Sequence, residues 1–364
     1  VSTPAEPGTA PLRLGTRGSA LAMTQSGMVA RRLTELLGRP VELVRIRTEG
    51  DVKTGSLASL GGTGVFVTAL REALLDGRCD VAVHSLKDLP TTQPPELTVV
   101  TPEREDPRDV LCARDGLTLE TLPRGSRVGT GSPRRAAQLK AARPDVEIVD
   151  IRGNVDTRLA RALGPEADLD AVVLAHAGLT RLGRTDVVTE VLPPGVVAPA
   201  PGQGALAVEA RTADLQPGAP DGGALARAFA ALDHRATRVA VIAERTVLAR
   251  LEAGCAAPVG AYARVEDGAL HLGAVVARVD GTEQLKHRAS VELAAEMSTA
   301  ALDAVATELG ERVAEALLAD GADRLAPLRP GTSAASPELP TGASRRVDSA
   351  PLHSPTGTDD PEGA

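Results

Sequence analysis

The sequence predicts an α/β protein of three domains, and three observations carry that expectation. At 364 residues the chain exceeds what one ordinary core organises. Short apolar runs alternate with helical patterns from residue 12 onwards, as in a parallel or mixed sheet covered by helices. Two proline-rich passages, 101–108 and 193–202, interrupt the alternation, and a strand pattern resumes after the second. The chain is therefore expected to leave a first domain through one hinge, build a second, and return to the first through the other.

In chain order, a strand from Leu12 runs into a helix over 19–37, where Val29, Leu33, Leu36 and Leu37 share a face. A strand over 41–47 precedes a helix over 64–76, with Phe66, Leu70, Ala73 and Leu74 at the same spacing. Further strands are expected over 80–84, 97–100, 109–113, 146–151, 169–175 and 205–209. Near Leu225 a third unit begins with one long helix to about residue 253. Two strands around Tyr262 and Leu272 follow, then a helix over 298–320 closed by Gly321. The expected domains are 12–104 with 203–223, then 105–202, then 224–326. Residues 1–11 and the Pro-, Ser-, Thr- and Gly-rich stretch 327–364 are expected to be disordered.

Composition narrows the partner. Forty basic and 48 acidic residues leave a net charge of −8, which disfavours nucleic acid and anionic membranes. The aromatic residues are only Phe66, Phe229 and Tyr262, too few for base stacking. No apolar stretch is long enough to span a bilayer, and no export signal opens the chain, so a cytoplasmic location is expected. Cys79, Cys112 and Cys255 show neither paired nor metal-type spacing, as for reduced thiols, and the six histidines are scattered. No metal site is expected.

The chemistry is expected where strands run into helices through small polar and basic residues. Leu12-Arg-Leu-Gly-Thr-Arg-Gly-Ser19 offers Ser19 as an N-cap. Val128-Gly-Thr-Gly-Ser-Pro-Arg-Arg135 offers Ser132 as a cap with Pro133 at the first helical position. Ile151-Arg-Gly-Asn-Val-Asp-Thr-Arg158 turns through Gly153-Asn154 into another helix. Cations in a first turn oppose the macrodipole by roughly 0.3–1 kcal/mol, so Arg134 and Arg135 stand where Asp or Glu would be favoured. A bound anion would remove the conflict; alternatively the arginines face water. Dispersed arginines suit dispersed carboxylates better than one phosphate, and neither a P-loop nor a usable dinucleotide fingerprint is present.

Lys87 and Asp88 follow directly on an apolar strand. Lys87 is one of only four lysines, which makes a merely compositional origin harder to accept, and Asp88 could serve as a general acid or base or stabilise a developing cation. A Lys–Asp surface pair before Pro90 is the plainer alternative, and His84 reads as a packed strand residue. Cys79 and Cys112 suit buried small hydrophobes. Cys255 lies in a loop marked by Gly254, Pro258 and Gly260, after a helix C-terminus and without a nearby His or Lys. That environment disfavours an activated nucleophile and leaves either a permanent attachment point or an inert thiol.

Six segments in order, Val83-His-Ser-Leu-Lys-Asp88, Glu103-Arg-Glu-Asp-Pro-Arg-Asp109, Gly129-Thr-Gly-Ser-Pro-Arg-Arg135, Arg152-Gly-Asn-Val-Asp-Thr-Arg158, Pro201-Gly-Gln-Gly204 and the Cys255 loop, strongly resemble the porphobilinogen deaminase (hydroxymethylbilane synthase) family over roughly residues 12–322. The resemblance implies three α/β domains, the first two like the lobes of periplasmic anion-binding proteins with hinge crossovers. The third is implied to be a small α+β domain carrying the cofactor cysteine. It implies a dipyrromethane cofactor held by a thioether to Cys255. Four porphobilinogen molecules would add to it with loss of ammonia, through an azafulvene attacked by the chain's free pyrrole α-carbon, before hydrolysis releases hydroxymethylbilane. By motif position, Asp88 would be the catalytic carboxylate. Arg17, Ser19, Lys87, Thr130, Ser132, Arg134, Arg135, Arg152, Arg158 and Arg181 would hold carboxylate arms of cofactor and substrate, and Phe66 would pack near the incoming pyrrole. The expected form is a monomer. Where many relatives carry lysines, this chain reads Ser59-Leu-Gly-Gly-Thr-Gly64, so a lid over 50–64 is expected to grip more weakly, whether or not Lys53 replaces one contact. A non-catalytic two-lobed anion-binding protein is the rival, and it would carry no covalent group.

Overall fold

The computed structural model describes residues 10–46, 64–219, 221, 223–254 and 257–328, with the side chains of 64–66 excepted. The expected lid, with Lys53, Ser59 and Thr63, lies outside the described residues, as do the Phe66 side chain and Cys255.

The elements follow in order β1 (Leu12–Thr16), α1 (Ala20–Leu37), β2 (Val41–Arg45), α2 (Gly64–Leu75), β3 (Val81–Ser85) and β4 (Leu97–Val100). Then come β5 (Asp109–Ala113), β6 (Arg127–Gly129), α3 (Pro133–Ala142), β7 (Glu147–Val149), α4 (Val155–Leu163), β8 (Ala171–Ala175), α5 (His176–Leu182) and β9 (Glu190–Leu192). The chain closes with β10 (Leu206–Arg211), α6 (Ala224–Leu232), α7 (Arg235–Arg250), β11 (Val259–Glu266), β12 (Ala269–Ala277), β13 (Gln284–Glu292), α8 (Thr299–Ala319) and α9 (Ala322–Leu325).

Two five-stranded sheets repeat one topology. The first has the order β2-β1-β3-β10-β4 and the second β7-β6-β8-β5-β9. In each, three strands run parallel, and the fourth position is antiparallel to both neighbours: β10 pairs β3 with Val208 opposite Val83, and β5 pairs β8 with Leu111 opposite Val173. The strand returning after the second proline-rich passage thus inserts into the first sheet, as the sequence pattern predicts. The strands' near-continuous apolar runs follow from burial on both faces: β5 is buried throughout, and Val81, Ala82 and Val83 of β3 are likewise enclosed. Each fully buried leucine, such as Leu14, Leu33 and Leu111, contributes roughly 1.5–3 kcal/mol relative to exposure. The thiols of Cys79 and Cys112 are part of these cores; burial raises both, that of Cys112 to about 12, so both act as small apolar groups.

The third unit departs from expectation in two ways. It has three antiparallel strands, since β13 joins β11 and β12. Gln-Leu-Lys-His-Arg-Ala-Ser-Val-Glu does alternate, with Leu285, Ala289 and Val291 turned to the core, but its outer residues are charged. The single long helix is two helices broken at Asp233-His234. Those residues dock on the first crossover instead: Asp233 Oδ1 accepts from Thr101 N at 3.1 Å and His234 N donates to Thr101 O at 2.8 Å. Leu328 is also buried in the third core, and its carbonyl accepts from Gly254 N at 2.9 Å. The helix expected over 298–320 is present as α8, capped by Ser298 and followed by Gly321 in left-handed conformation.

Both crossovers are anchored by a buried carboxylate. Glu244 of α7 accepts from Arg104 Nη1 and Nη2 at 2.7 and 3.0 Å, from Gly202 N at 2.7 Å and from Ala263 N at 2.7 Å. One side chain of the third unit therefore ties the two crossovers to each other and to β11. The crossovers touch at Gly204, where φ is +86° and a Cβ would fall 2.4 Å from Glu105 O, so only glycine fits. Among the described residues no helix is long and apolar enough to cross a membrane.

Candidate active site between the two lobes

The strand ends carry the expected helix starts. Ser19, Ser132 and Asn154 cap α1, α3 and α4, their side chains accepting from Ala22 N (3.4 Å), Arg135 N (3.5 Å) and Thr157 N (2.9 Å). Pro133 begins α3, so the first turn projects Arg134 and Arg135 inward. Arg17 follows β1 directly, before that cap. Thr130, at the end of β6, is buried and accepts from Ser132 N at 3.2 Å.

Arg134 and Arg135 do not face water. Each is about 5% exposed, and they share the fully buried Asp109 at the start of β5: Arg134 Nη1 lies 2.8 Å from Oδ2 and Arg135 Nη2 2.7 Å from Oδ1. Arg134 also donates to Ala198 O, and Arg135 to Val173 O at 3.1 Å. Burial alone would raise the Asp109 carboxyl, but the two guanidinium charges hold it well below the usual carboxylate range. Part of the first-turn conflict is thus relieved internally, by a residue to which the sequence pattern assigns no role.

Gln203, in the second crossover, joins the lobes. Its amide donates to Asp109 Oδ1 and to Pro107 O, both at 2.7 Å, while its carbonyl accepts from Lys87 Nζ at 3.2 Å and from Arg135 Nη2 at 3.5 Å. Lys87 and Asp88 lie in a 3-10 turn at the end of β3, so the first lobe's lysine reaches the second lobe's arginines through one amide. Burial and then the neighbouring Arg135 charge lower the Lys87 ammonium to about 8, against the opposing pull of Asp88 and Asp109. Asp88 is half-buried, and its carboxylate accepts no hydrogen bond among the described residues.

The remaining arginines divide. Arg158 donates through Nε to Gly153 O at 2.9 Å, and burial and the charges of Arg135 and Arg152 lower its guanidinium, so it borders the cluster. Arg181 donates to Gly204 O at 2.6 Å and is lowered by burial. Arg152 is half exposed and held by Asp150 at 3.1 Å. His84 is a packed strand residue, as expected, with Nε2 3.0 Å from Glu209 Oε2. Three cations, Lys87, Arg134 and Arg135, therefore converge on one buried carboxylate, Asp109, with Arg158 at the edge of the cluster and Asp88 alongside. The Nε atoms of Arg134, Arg135 and Arg181 are buried without a hydrogen-bonded partner among the described residues. Such a cluster can grip several carboxylates and place one further carboxylate against a reacting cation. No group of three or more His, Cys, Asp or Glu residues with metal-binding geometry occurs among the described residues.

Comparison with known proteins gives the same direction. The family model described as "Porphobilinogen deaminase, dipyromethane cofactor binding domain" matches residues 12–217, and "Porphobilinogen deaminase, C-terminal domain" matches 238–319. The chain is 55% identical to the porphobilinogen deaminase of Micrococcus luteus, over 88% of this chain and 95% of that one. It is 54% identical to the porphobilinogen deaminase of Leifsonia xyli, over 90% and 97%. Among solved structures, the L-cystine solute receptor of Neisseria gonorrhoeae aligns at 15% identity and a TM-score of 0.35, over 64% of this chain and 90% of that one.

Proposed function

The chain belongs to the porphobilinogen deaminase family, and from that premise we propose that it is the transferase that condenses four porphobilinogen molecules, with loss of ammonia, into hydroxymethylbilane for porphyrin and haem biosynthesis. The observation that carries the proposal is the excess of buried positive charge where the two lobes meet, next to an uncommitted carboxylate. Each pyrrole unit brings an acetate and a propionate, so a growing chain needs several fixed cations and few anions.

The residues fit a resident dipyrromethane. Its carboxylates match the spare buried donors of Arg134, Arg135 and Arg181 and the cations Lys87 and Arg158. Arg17, Ser19, Thr130, Ser132 and Arg152 complete the binding set. When bound through a thioether to Cys255, the group supplies the pyrrole α-carbon from which the product grows. The chain's own residues do the remainder. Asp88 hands a proton to the departing amine and then offsets the positive charge left on the pyrrole. Lys87 and the arginines orient the carboxylate arms, and Phe66 packs beside the incoming ring. The same proposal has the chain act as a monomer in the cytoplasm, without nucleic acid or membrane.

Ammonia release from porphobilinogen tests the role of Asp88. The Asp88→Asn variant should lose about 10²–10⁴-fold in turnover while keeping the cofactor. A loss below tenfold with the cofactor in place would remove Asp88 from the chemistry.

A further inference from the structure

We propose that the cleft between the third sheet and the second lobe is a separate binding site for a small polycarboxylate. The third sheet has two unlike faces. Ala261, Ala263, Leu270, Leu272 and Val276 turn to the core shared with α7 and α8. Cross-strand register puts three rows on the other face: Gly260–Val275–Lys286, Tyr262–Gly273–Arg288 and Arg264–His271–Ser290. An outer face of a sheet ordinarily meets solvent. Here it lines a cleft of about 840 Å³, closed opposite by Gln138 of α3, the 194–198 stretch of the second crossover and Arg108 of the first. Lys286 Nζ reaches across to Gly195 O at 3.4 Å.

The charges in this cleft do not cancel. Arg108 is neutralised by Asp106 at 2.5 Å and Arg264 by Glu266 at 2.8 Å. Lys286 and Arg288 form no ion pair among the described residues, and Asp106 is the one acidic residue lining the cleft. Gly273 carries no side chain, so the Arg288 side chain lies across the middle row, its Cγ 3.5 Å and its Nε 3.9 Å from where a Gly273 Cβ would stand. Tyr262, on the far side of Gly273 in the same row, adds a hydroxyl. A guanidinium and an ammonium beside a concave, partly apolar floor recognise anions, and an excess of such cations in a chain of net charge −8 marks a local site rather than a general surface property. Lys286 and Arg288 are two residues apart on one strand, about 7 Å along it, which suits carboxylates separated by several bonds better than one phosphate.

Citrate is the probe, titrated calorimetrically into the full chain with its cofactor and into Arg288→Gln and Ser290→Glu variants, the latter adding a negative charge without removing a side chain. The expected result is one citrate site whose affinity falls at least tenfold in both variants. Citrate should also slow hydrogen exchange in β12 and β13. Ammonia release without citrate should be unchanged by either substitution. Equal citrate affinity in all three proteins, protection confined to the two lobes, or pyrophosphate binding this sheet more tightly than citrate would each overturn the assignment.

Discussion

Each lobe buries one carboxylate on the equivalent antiparallel strand of its sheet, Glu209 on β10 and Asp109 on β5, and their surroundings differ in sign. Glu209 accepts from Arg71 at 2.7 Å and from Gln93 at 3.0 Å, with His84 at 3.0 Å. Burial would raise its carboxyl, but contacts with His84 and Arg71 hold it at about 2. One guanidinium meets one carboxylate, and the cluster closes on itself. Asp109 meets two guanidiniums and shares Gln203 with Lys87, so positive charge is left over at the lobe boundary. A balanced cluster braces a sheet. An unbalanced one is held at a cost to stability that a ligand can offset.

The largest effect expected from this difference is at Asp109. Asp109→Asn leaves two buried guanidiniums short of a counter-charge and should destabilise the fold by about 3–5 kcal/mol in urea denaturation. A loss near that of a surface substitution would mean that the cluster relaxes and is not charge-strained. Glu209→Gln keeps its shape and most hydrogen bonds, and should cost about 1.5–3 kcal/mol without changing the KM for porphobilinogen. Because the folded Glu209 carboxyl lies below its ordinary value of 4.5, its contribution is complete above that pH and is lost as pH falls towards about 2. A raised KM in Glu209→Gln would blur the division between the two lobes.

Lys87 sharpens the comparison at smaller amplitude. Its folded value of about 8 lies below the ordinary 10.5, so between these limits the unfolded chain binds more protons and stability rises with pH. Below about 8 the charged form is therefore held against the preference of the fold. Lys87→Met should match or exceed the wild-type melting temperature at pH 7 while raising KM about tenfold, the worth of one charge-assisted contact. In the wild type KM should climb above about pH 8, and in the variant that climb should vanish. A variant that melts lower and keeps its KM would assign Lys87 to the scaffold.

What the sequence made legible follows from range. Ser132 as cap, Pro133 as first helical residue, the two arginines behind them and the Lys87-Asp88 pair are all signalled within a few residues. Gln203 and Asp109 are not, because their contacts with Arg135 span 68 and 26 residues. Gln203 does lie as a polar break within Pro- and Gly-rich chain, and Asp109 ends a charged, proline-broken stretch, which are usable signals. The break between α6 and α7 was hidden for the same reason, since Asp233 answers to Thr101 across 132 residues. Charge on the outer face of β13 masked a regular alternation, and that face is the one now assigned a ligand.

On the proposed function, the surplus cations serve a carboxylate-rich group fixed to Cys255. The most direct test is the intact mass of the denatured protein beside that of its Cys255→Ser variant. The wild type should exceed its sequence mass by two linked pyrrole units and the variant should not. Wild-type protein from cells making porphobilinogen that matches its sequence mass would contradict the account.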